Sequence, residues 1–311
     1  MIIPRLSWFS TACLLVAVYC TSCTQEQQQP QPQATPRRII SVVPSATEML
    51  FAFGAGERVI AVGDYDHFPP EVNAKERIGG LLNPNIEKII ELKPDLVIAY
   101  GSQDVLGERL EGLGIRLHPF THGNVEHTLR YMLELGRTLQ VEDAAQEVVT
   151  GIRKSFEELR AQAPAVRPKV MLLHNREAGT LGSVYSIGSQ AFQHDLIAIA
   201  GGDNIFGDVD KEVLQPSLEE IISRAPDVII ETMPAPLDEE QARERKNDWS
   251  KLPLPAVLND RVYVVAEDSL LVPGPRLGVA ARRLGEIIRN SGDRLRILHF
   301  RNSESVPGIP R

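Results

Sequence analysis

The sequence predicts an α/β protein made of two lobes that are joined by one long α-helix. Short β-branched runs alternate with amphipathic stretches from Arg38 onward, a pattern typical of parallel strands covered by helices on both faces. One helix–strand unit is written twice, as "PNIEKIIELKPDLVIAY" from Pro84 and as "PSLEEIISRAPDVIIET" from Pro216. A proline-free stretch, residues 141–163, lies between the two series. These observations predict two Rossmann-like lobes with parallel sheets and a ligand cleft between them.

Composition limits the classes of function. A chain of 311 residues with 43% hydrophobic content is long enough to bury the cores of two lobes. The formal net charge of −8 argues against a nucleic-acid partner, which requires a basic face. The sequence contains neither a G-x-S-x-G elbow nor a phosphate-binding loop, so we expect no enzymatic activity.

Residues 1–23 have the pattern of an export signal. Arg5 precedes an apolar stretch of about a dozen residues, which is too short to span a membrane. All three cysteines lie in this segment, so the remaining chain carries no disulfide. Cys23 follows two small residues and precedes a Gln/Pro-rich tether, residues 24–37, and the segment resembles a bacterial lipoprotein signal with Cys23 as the acylated residue. The alternatives are acylation of Cys20, which bulky Tyr19 disfavours, and ordinary cleavage that releases a soluble exported protein.

The first lobe is predicted to occupy residues 38–140. "RRIISVV" indicates a buried strand, and the helix "PSATEMLFAFGAG" has capping-box spacing at Ser45 and Glu48 and ends at Gly54. "RVIAVG" is a second strand. The first copy of the repeat follows, with Asn85 as the N-cap of a helix that runs to about Leu92 and the strand "DLVIAY". Further helix and strand patterns, "GERLEGLG", "IRLHPF" and "NVEHTLRYMLELGRTL", complete the lobe.

The linking helix is predicted to span residues 141–163, about 30–35 Å at 1.5 Å per residue. Pro164 and Pro168 end it. The second lobe, residues 164–300, contains "KVMLL", "SQAFQHDLIAIAGG", the second copy of the repeat, "RVYVVA" and "GPRLGVAARRLGEIIRN". The tail, residues 301–311, has no periodicity, and we expect it to be disordered.

Each copy of the repeat places one glutamate in the first turn of its helix, Glu87 in the first lobe and Glu219 in the second. A helix that leads into a parallel strand begins at the edge where the strands end, and ligands bind beyond that edge. A carboxylate in a first turn also stabilises the helix dipole by a few tenths to about 1 kcal/mol and needs no other role. The matching positions, one in each lobe, nevertheless favour a further role for the pair.

Residues from Arg38 to about Asn290 resemble the helix-linked substrate-binding proteins of bacterial ABC importers, the class that carries cobalamin, haem and ferric siderophores. The resemblance is closest to the cobalamin-binding members. It rests on the repeat, on the linking helix and on "IISVVPSATEMLFAFGAG", "VGDYDHFPPE", "AGGDNIF" and "VPGPRLGVAARRL". It implies a monomer without a cofactor, exported to the periplasm and lipid-anchored, that delivers a corrinoid to a membrane permease. It also implies that Glu87 and Glu219 dock on permease arginines.

The resemblance suggests ligand contacts as well. Tyr65 matches an aromatic that lines the cleft of the cobalamin-binding members, Tyr100 falls where another aromatic stands, and Leu81 occupies a place where the cobalamin pattern has tryptophan. Loops of the second lobe suggest that Tyr185 and Ser189 face the cleft and that Arg276 meets an anionic group.

Other ligands and roles remain open at this stage. Haem is one alternative, with His67, His122 or Tyr65 available to its iron, and a ferric siderophore is another. The histidines in "HPFTHGNVEH", which are His118, His122 and His127, do not have the spacing of a recognised metal site. An exported interaction module without a transport role is also compatible with the sequence.

Overall fold

The computed structural model describes residues 34–101, 104–174, 176–234 and 237–289. The chain divides into two units, residues 1–34 and residues 35–311, and both lobes belong to the second. The predicted signal segment with Cys23, most of the tether and the tail lie outside the described residues. Within the described part of the chain, no helix is long and apolar enough to cross a membrane.

The first lobe contains one five-stranded sheet in the order β3-β2-β1-β4-β5, and every strand pair in it is parallel, as predicted. Helices precede and follow its strands along the chain. The elements are β1 (Ile39–Ser41), α1 (Pro44–Ala52), β2 (Val59–Val62), β3 (Glu76–Arg77), α2 (Ile86–Glu91), β4 (Leu96–Tyr100), α3 (Asp104–Glu111), β5 (Arg116–Phe120) and α4 (Val125–Leu139).

The second lobe contains a mixed sheet in the order β11-β10-β6-β7-β9, with β8 paired to β6. Strand β7 runs antiparallel to both β6 and β9, which differs from the predicted parallel sheet. The described residues between β6 and β7 form no helix, and a parallel return would need a long crossover. The elements are β6 (Lys169–His174), β7 (Tyr185–Ile187), α6 (Phe192–Ile199), β8 (Asp203–Asn204), β9 (Val213–Leu214), α7 (Leu218–Arg224), β10 (Val228–Met233), α8 (Glu239–Trp249), α9 (Pro255–Leu258), β11 (Val262–Ala266) and α10 (Leu277–Arg289).

The linking helix is α5 (Glu142–Arg160), with 19 residues and a length of about 28 Å. It is shorter than the predicted stretch, because the helix ends before Ala161. Its apolar stripe, which includes Val148, Ile152 and Phe156, is buried. The helix packs against α1 and α4 of the first lobe and against α6 and α10 of the second, so one continuous apolar core extends into both lobes.

The start of α1 differs from the prediction. Val43 is the N-cap residue and no side chain caps the helix, so Ser45 and Glu48 do not form the predicted capping box. Pro44 supplies the first helical position, where its missing N–H costs nothing. The helix ends at Ala52, and Gly54 takes a φ of 74°, a left-handed conformation that glycine adopts without strain.

The repeated unit has the same local structure in both lobes. The side chains of Asn85 and Ser217 each accept a hydrogen bond from the third following backbone N–H, which caps α2 and α7. After each helix one residue has a positive φ, Lys93 at 46° and Ala225 at 50°, and a proline follows it. These matching caps fix where each helix begins and ends.

An aspartate at the end of each repeated unit accepts hydrogen bonds from the backbone at the start of a neighbouring strand. The Asp95 carboxylate accepts hydrogen bonds from the backbone N–H groups of Arg37 and Arg38 at 2.8 and 3.0 Å, just before β1. In the second lobe the Asp227 carboxylate accepts from the Lys169 N–H, at the start of β6, at 2.8 Å. Much of the repeated sequence therefore serves the local fold, whereas Glu87 and Glu219 take no part in these contacts.

Candidate functional site

Three tyrosines mark the edge at which the parallel strands end. Tyr65 lies in the turn after β2 and is 63% exposed. Tyr100 is the last residue of β4. Tyr185 is 44% exposed and pairs with His174, the last residue of β6, so it also lies at a carboxyl end. The fold thus brings all three predicted contact residues to the edges where open α/β sheets bind ligands, and their role in binding remains a prediction.

Tyr100 is part of a small aromatic group. Its ring stacks on His122 with centroids 5.1 Å apart and meets the edge of Phe120 at 5.6 Å. Burial raises the pKa of Tyr100 to about 12, and the negative charges of Glu212 and Asp66 add to this effect. Because Glu212 belongs to the second lobe and Asp66 to the first, charges in both lobes raise the pKa of Tyr100.

The loop before α2 provides apolar surface beside Tyr65. Leu81, where the cobalamin-binding pattern has tryptophan, is half-buried, and its neighbour Leu82 is 77% exposed. The Tyr65 ring adjoins this loop, since a Cβ placed on Gly80 would lie 3.9 Å from Tyr65 Cε2. Leu82 was not identified from the sequence. Its signal was an apolar pair inside a Gly- and Asn-rich loop, where no strand or helix requires one.

Ser189 holds its own loop together. Its hydroxyl donates to the carbonyl of Val209 at 3.1 Å, and its backbone N–H donates to the same oxygen at 2.9 Å. The serine is half-buried. The structure therefore gives this side chain a role in the fold, whereas its contact with a ligand remains a prediction.

Arg276 meets an anionic group, but that group belongs to the protein. Its Nε and Nη2 donate to the two carboxylate oxygens of Glu48 at 2.9 and 2.5 Å, and both side chains are buried. Its guanidinium also lies 4.2 Å from the centre of the Phe68 ring. Burial acts against the Arg276 cation, but Glu48 outweighs it and raises the pKa of Arg276. We expected a free cation in the cleft, but the structure shows that Arg276 forms a bidentate ion pair with Glu48 of the other lobe.

A buried carboxyl group lies close to this pair. Asp66 is only 1% exposed, and neither of its carboxylate oxygens has a hydrogen-bond partner among the described residues. Burial raises the pKa of Asp66 to about 7. The Thr47 hydroxyl and the Gly63 amide lie near the carboxyl group without the geometry of a hydrogen bond; together with the charge of Arg77 they lower the pKa in part, and Glu48 raises it further. Sequence inspection missed this group because an aspartate in an Asp-Tyr-Asp turn is typical of exposed loops.

The three histidines of residues 118–127 have different surroundings. His118 packs against Tyr131, and burial lowers the pKa of His118. His127 contacts the hydroxyl and the carbonyl of Thr121 at 3.0 and 3.1 Å. His122 Nδ1 lies 3.6 Å from Glu212 Oε1 of the second lobe. Within the described ranges no three His, Cys, Asp or Glu side chains are grouped as a metal site would require.

Glu87 and Glu219 lie in the first turns of α2 and α7, as predicted, and both are exposed. Across the part of the chain that the structure describes, neither carboxylate has a hydrogen-bond or ion-pair partner. Their neighbours differ, because Lys88 pairs with Glu76 and Glu220 pairs with Arg224. The two glutamates are therefore available to a partner outside this chain.

Residues 39–268, most of both lobes, match the family described as periplasmic binding protein. The chain belongs to the periplasmic binding protein family. A vitamin B12-binding protein of Photorhabdus laumondii is 28% identical over 261 residues, which cover 83% of this chain and 90% of that protein. An ABC transporter substrate-binding lipoprotein of Bacillus subtilis, YvrC, is 28% identical over 259 residues, 81% of this chain and 80% of that one.

A solved structure supports the same assignment. The periplasmic vitamin B12 binding protein BtuF of Vibrio cholerae matches this periplasmic binding protein with a TM-score of 0.68 and 25% identity. The match covers 83% of this chain and 99% of that one. The two-lobe α/β architecture predicted from the sequence is therefore confirmed at the level of the family.

Proposed function

We propose that this protein is the substrate-binding subunit of an ABC importer and that it captures a corrinoid between its lobes. The observation that carries the proposal is Tyr65, which matches a cleft aromatic of the cobalamin-binding proteins and is 63% exposed at the carboxyl end of β2. Tyr100 and Tyr185 lie at equivalent strand ends of the two lobes. Rigid aromatic rings suit a large flat ligand, because they offer wide contact area at low entropic cost. The likeness to named vitamin B12-binding proteins supports the corrinoid as the transported ligand, not as a cofactor.

Titration of the purified protein with cyanocobalamin, haemin and a ferric siderophore by calorimetry tests the ligand. We expect cyanocobalamin to bind and Tyr65→Ala to weaken binding by about 1–3 kcal/mol, the usual range for a stacked aromatic. Leu258→Ala is the matched control. Leu258 is 78% exposed but precedes β11, at the opposite end of the strands, so the affinity should not change. Tight binding of haemin alone would exclude the corrinoid and retain the importer.

We further propose that Glu87 and Glu219 dock on the permease, one on each of its two subunits. Both are exposed, and neither has a partner among the described residues, so docking would break no internal ion pair. Charge pairs at the rim of an interface mainly govern encounter and register, whereas pairs buried on docking contribute several kcal/mol. Each glutamate to alanine should therefore reduce uptake while ligand affinity stays nearly unchanged, and the double variant should lose more.

Glu220→Ala is a control from the same helix. Glu220 also lies in the first turn of α7, so its removal weakens the helix dipole contribution equally. It differs from Glu219 because it pairs with Arg224. Uptake, ligand affinity and melting temperature should be measured together on all variants. Normal uptake by the Glu87→Ala/Glu219→Ala protein would refute the docking role and leave the glutamates as dipole partners.

We propose, finally, that the protein is exported and anchored to a bacterial membrane through acylated Cys23. The signal pattern of residues 1–23 and the likeness to a substrate-binding lipoprotein support this proposal. Cys23→Ser should abolish labelling by a radioactive fatty acid and release the protein into the soluble fraction. Cys20→Ser should leave labelling intact, and the reverse result would move the anchor to Cys20.

A further inference from the structure

The segment that follows β2, residues 63–69, carries Tyr65 and is held at two points. Tyr65 itself makes no hydrogen bond to any residue that the structure describes, and it is 63% exposed. At the first point, Arg77 donates to the backbone carbonyls of Gly63 and Asp66 at 2.6 and 2.7 Å, one on either side of the tyrosine. The position of Tyr65 therefore depends on how its neighbours in the segment are held.

The second point is a contact with the other lobe. The Phe68 ring is half-buried, and the guanidinium carbon of Arg276, which precedes α10 of the second lobe, lies over it at 4.2 Å from the ring centre. A cation at this distance is attracted to the face of an aromatic ring, and the attraction is stronger where water is excluded. Arg276 is only 6% exposed. Phe68 thus ties the Tyr65 segment to the second lobe.

Arg276 is itself fixed, which gives its contact with Phe68 a defined geometry. Its Nε and Nη2 donate to the two carboxylate oxygens of Glu48 in α1 of the first lobe. Such a bidentate pair restricts the guanidinium more than one hydrogen bond does. The backbone before Arg276 also approaches closely, since a Cβ placed on Gly274 would lie 3.3 Å from Glu48 Oε2. The cation over the Phe68 ring is therefore held in place on both sides.

We propose that Phe68 is a positioning residue for Tyr65, an inference that rests on the proposed function. Its ring, bound by the fixed cation of Arg276, holds residues 63–69 in the conformation that presents Tyr65 to the ligand. No helix or strand fixes the backbone of this segment, so the tyrosine relies on such anchors. A side chain that is held in its binding position loses less freedom when the ligand arrives, and the affinity is higher for that reason.

A double-mutant cycle tests the proposal by calorimetric titration of the full chain with cyanocobalamin. Phe68→Leu removes the ring but keeps an apolar side chain, and it should weaken binding about fivefold, within the range of a desolvated cation–π contact. Phe68→Tyr keeps the ring and should restore the affinity of the wild type. In the Tyr65→Ala protein, Phe68→Leu should change the affinity less than about twofold, because the residue that it positions is gone. A merely structural role for Phe68 predicts no such dependence on Tyr65.

Arg276→Lys tests the same contact from the second lobe and serves if Phe68→Leu does not fold. Lysine keeps a cation opposite Glu48 but lacks the planar guanidinium that lies over the ring. It should therefore weaken cyanocobalamin binding as Phe68→Leu does, and the loss should again disappear in the Tyr65→Ala protein.

Phe51→Leu is the matched control. Phe51 is also a half-buried phenylalanine of the first lobe with a cation near its ring, Lys75 at 5.9 Å. It lies near the end of α1, away from the edge at which β1 ends. The affinity for cyanocobalamin should stay that of the wild type, whatever the effect on melting temperature.

An equal loss from Phe68→Leu with and without the Tyr65 side chain would overturn the proposal, because it would mean that Phe68 acts independently of Tyr65. Wild-type affinity in both Phe68→Leu and Arg276→Lys, together with weaker binding by Tyr65→Ala, would also overturn it and leave the proposed function intact. Failure of the folded wild type to bind cyanocobalamin would overturn both.

Discussion

The buried carboxyl group of Asp66 should make the stability of this protein fall as the pH rises from about 4 to about 7. Asp66 is 1% exposed, and no described residue makes a hydrogen bond to its carboxylate oxygens. Ionisation in the folded state therefore places a charge at a site where burial outweighs the nearby Thr47 hydroxyl, the Gly63 amide and the Arg77 cation. The nearest cation, Arg77, instead donates to the backbone carbonyls of Asp66 and Gly63 at 2.7 and 2.6 Å.

The size of the effect follows from the pKa of Asp66, which burial raises from an ordinary 3.8 to about 7. Below about pH 4 the carboxyl is protonated in both the folded and the unfolded chain, and it costs nothing. Between the two pKa values only the unfolded chain ionises, so the free energy of unfolding decreases. Above about pH 7 the loss is complete, and it amounts to at most about 4 kcal/mol, because each pKa unit is worth about 1.4 kcal/mol.

Urea unfolding of the wild type and of Asp66→Asn from pH 4 to pH 8 measures this loss. The difference between the two free energies of unfolding should grow by about 4 kcal/mol in favour of the variant across that range. The unpaired amide of asparagine adds an offset of about 1–3 kcal/mol that does not depend on pH. Asp64→Asn is the matched control, since Asp64 is exposed two residues away. A difference between Asp66→Asn and wild type that stays constant from pH 4 to pH 8 would refute the reasoning.

Three further variants test other parts of the fold. Glu48→Gln leaves the buried Arg276 without its counter-charge and should cost about 3–5 kcal/mol in urea unfolding, whereas a loss under 1 kcal/mol would show that the pair is not desolvated. Trp249→Ala empties a fully buried site in the second lobe and should cost about 3–5 kcal/mol by the same assay, and an unchanged midpoint would contradict the packing described. Asp227→Ala removes the acceptor for the Lys169 N–H and should lower the stability by about 1–2 kcal/mol, and no change in melting temperature would mean that water replaces the contact.

Local patterns in the sequence were sufficient to predict most of the secondary structure of the first lobe. The cap at Asn85 and the end of α2 near Leu92 follow from side-chain chemistry within a few residues, and both were predicted correctly. The parallel order of the first sheet also follows from alternating strands and helices. The second sheet was harder, because β7 and β9 have three and two residues and are too short to show a periodic pattern.

The site depends on contacts between distant residues, which a single sequence does not reveal. Glu48 had the spacing of a capping box, but its partner is Arg276, 228 positions away. Because of this contact, Arg276 is not the free cation that the sequence analysis predicted for the cleft. The approach of His122 to Glu212 likewise depends on how two lobes pack. By contrast, the position of Tyr65 at a strand end was predicted from its motif alone, since a residue in a short loop beside a strand end is placed by local structure.

The linking helix bears on whether the halves of this protein can exist apart. Its apolar stripe, which includes Val149, Ile152 and Leu159, contributes to a core shared by both lobes, because α5 contacts α1 and α4 on one side and α6 and α10 on the other. A fragment ending before α5 would expose the surfaces of α1 and α4 to water, and one beginning after it would expose those of α6 and α10. If the chain is instead cleaved within residues 161–168, just beyond the helix, the N-terminal fragment exposes part of the apolar stripe of α5. The C-terminal fragment exposes the surfaces of α6 and α10 that pack against this stripe. Two such fragments, expressed together, should reassemble without a covalent link, each serving as the folding partner of the other.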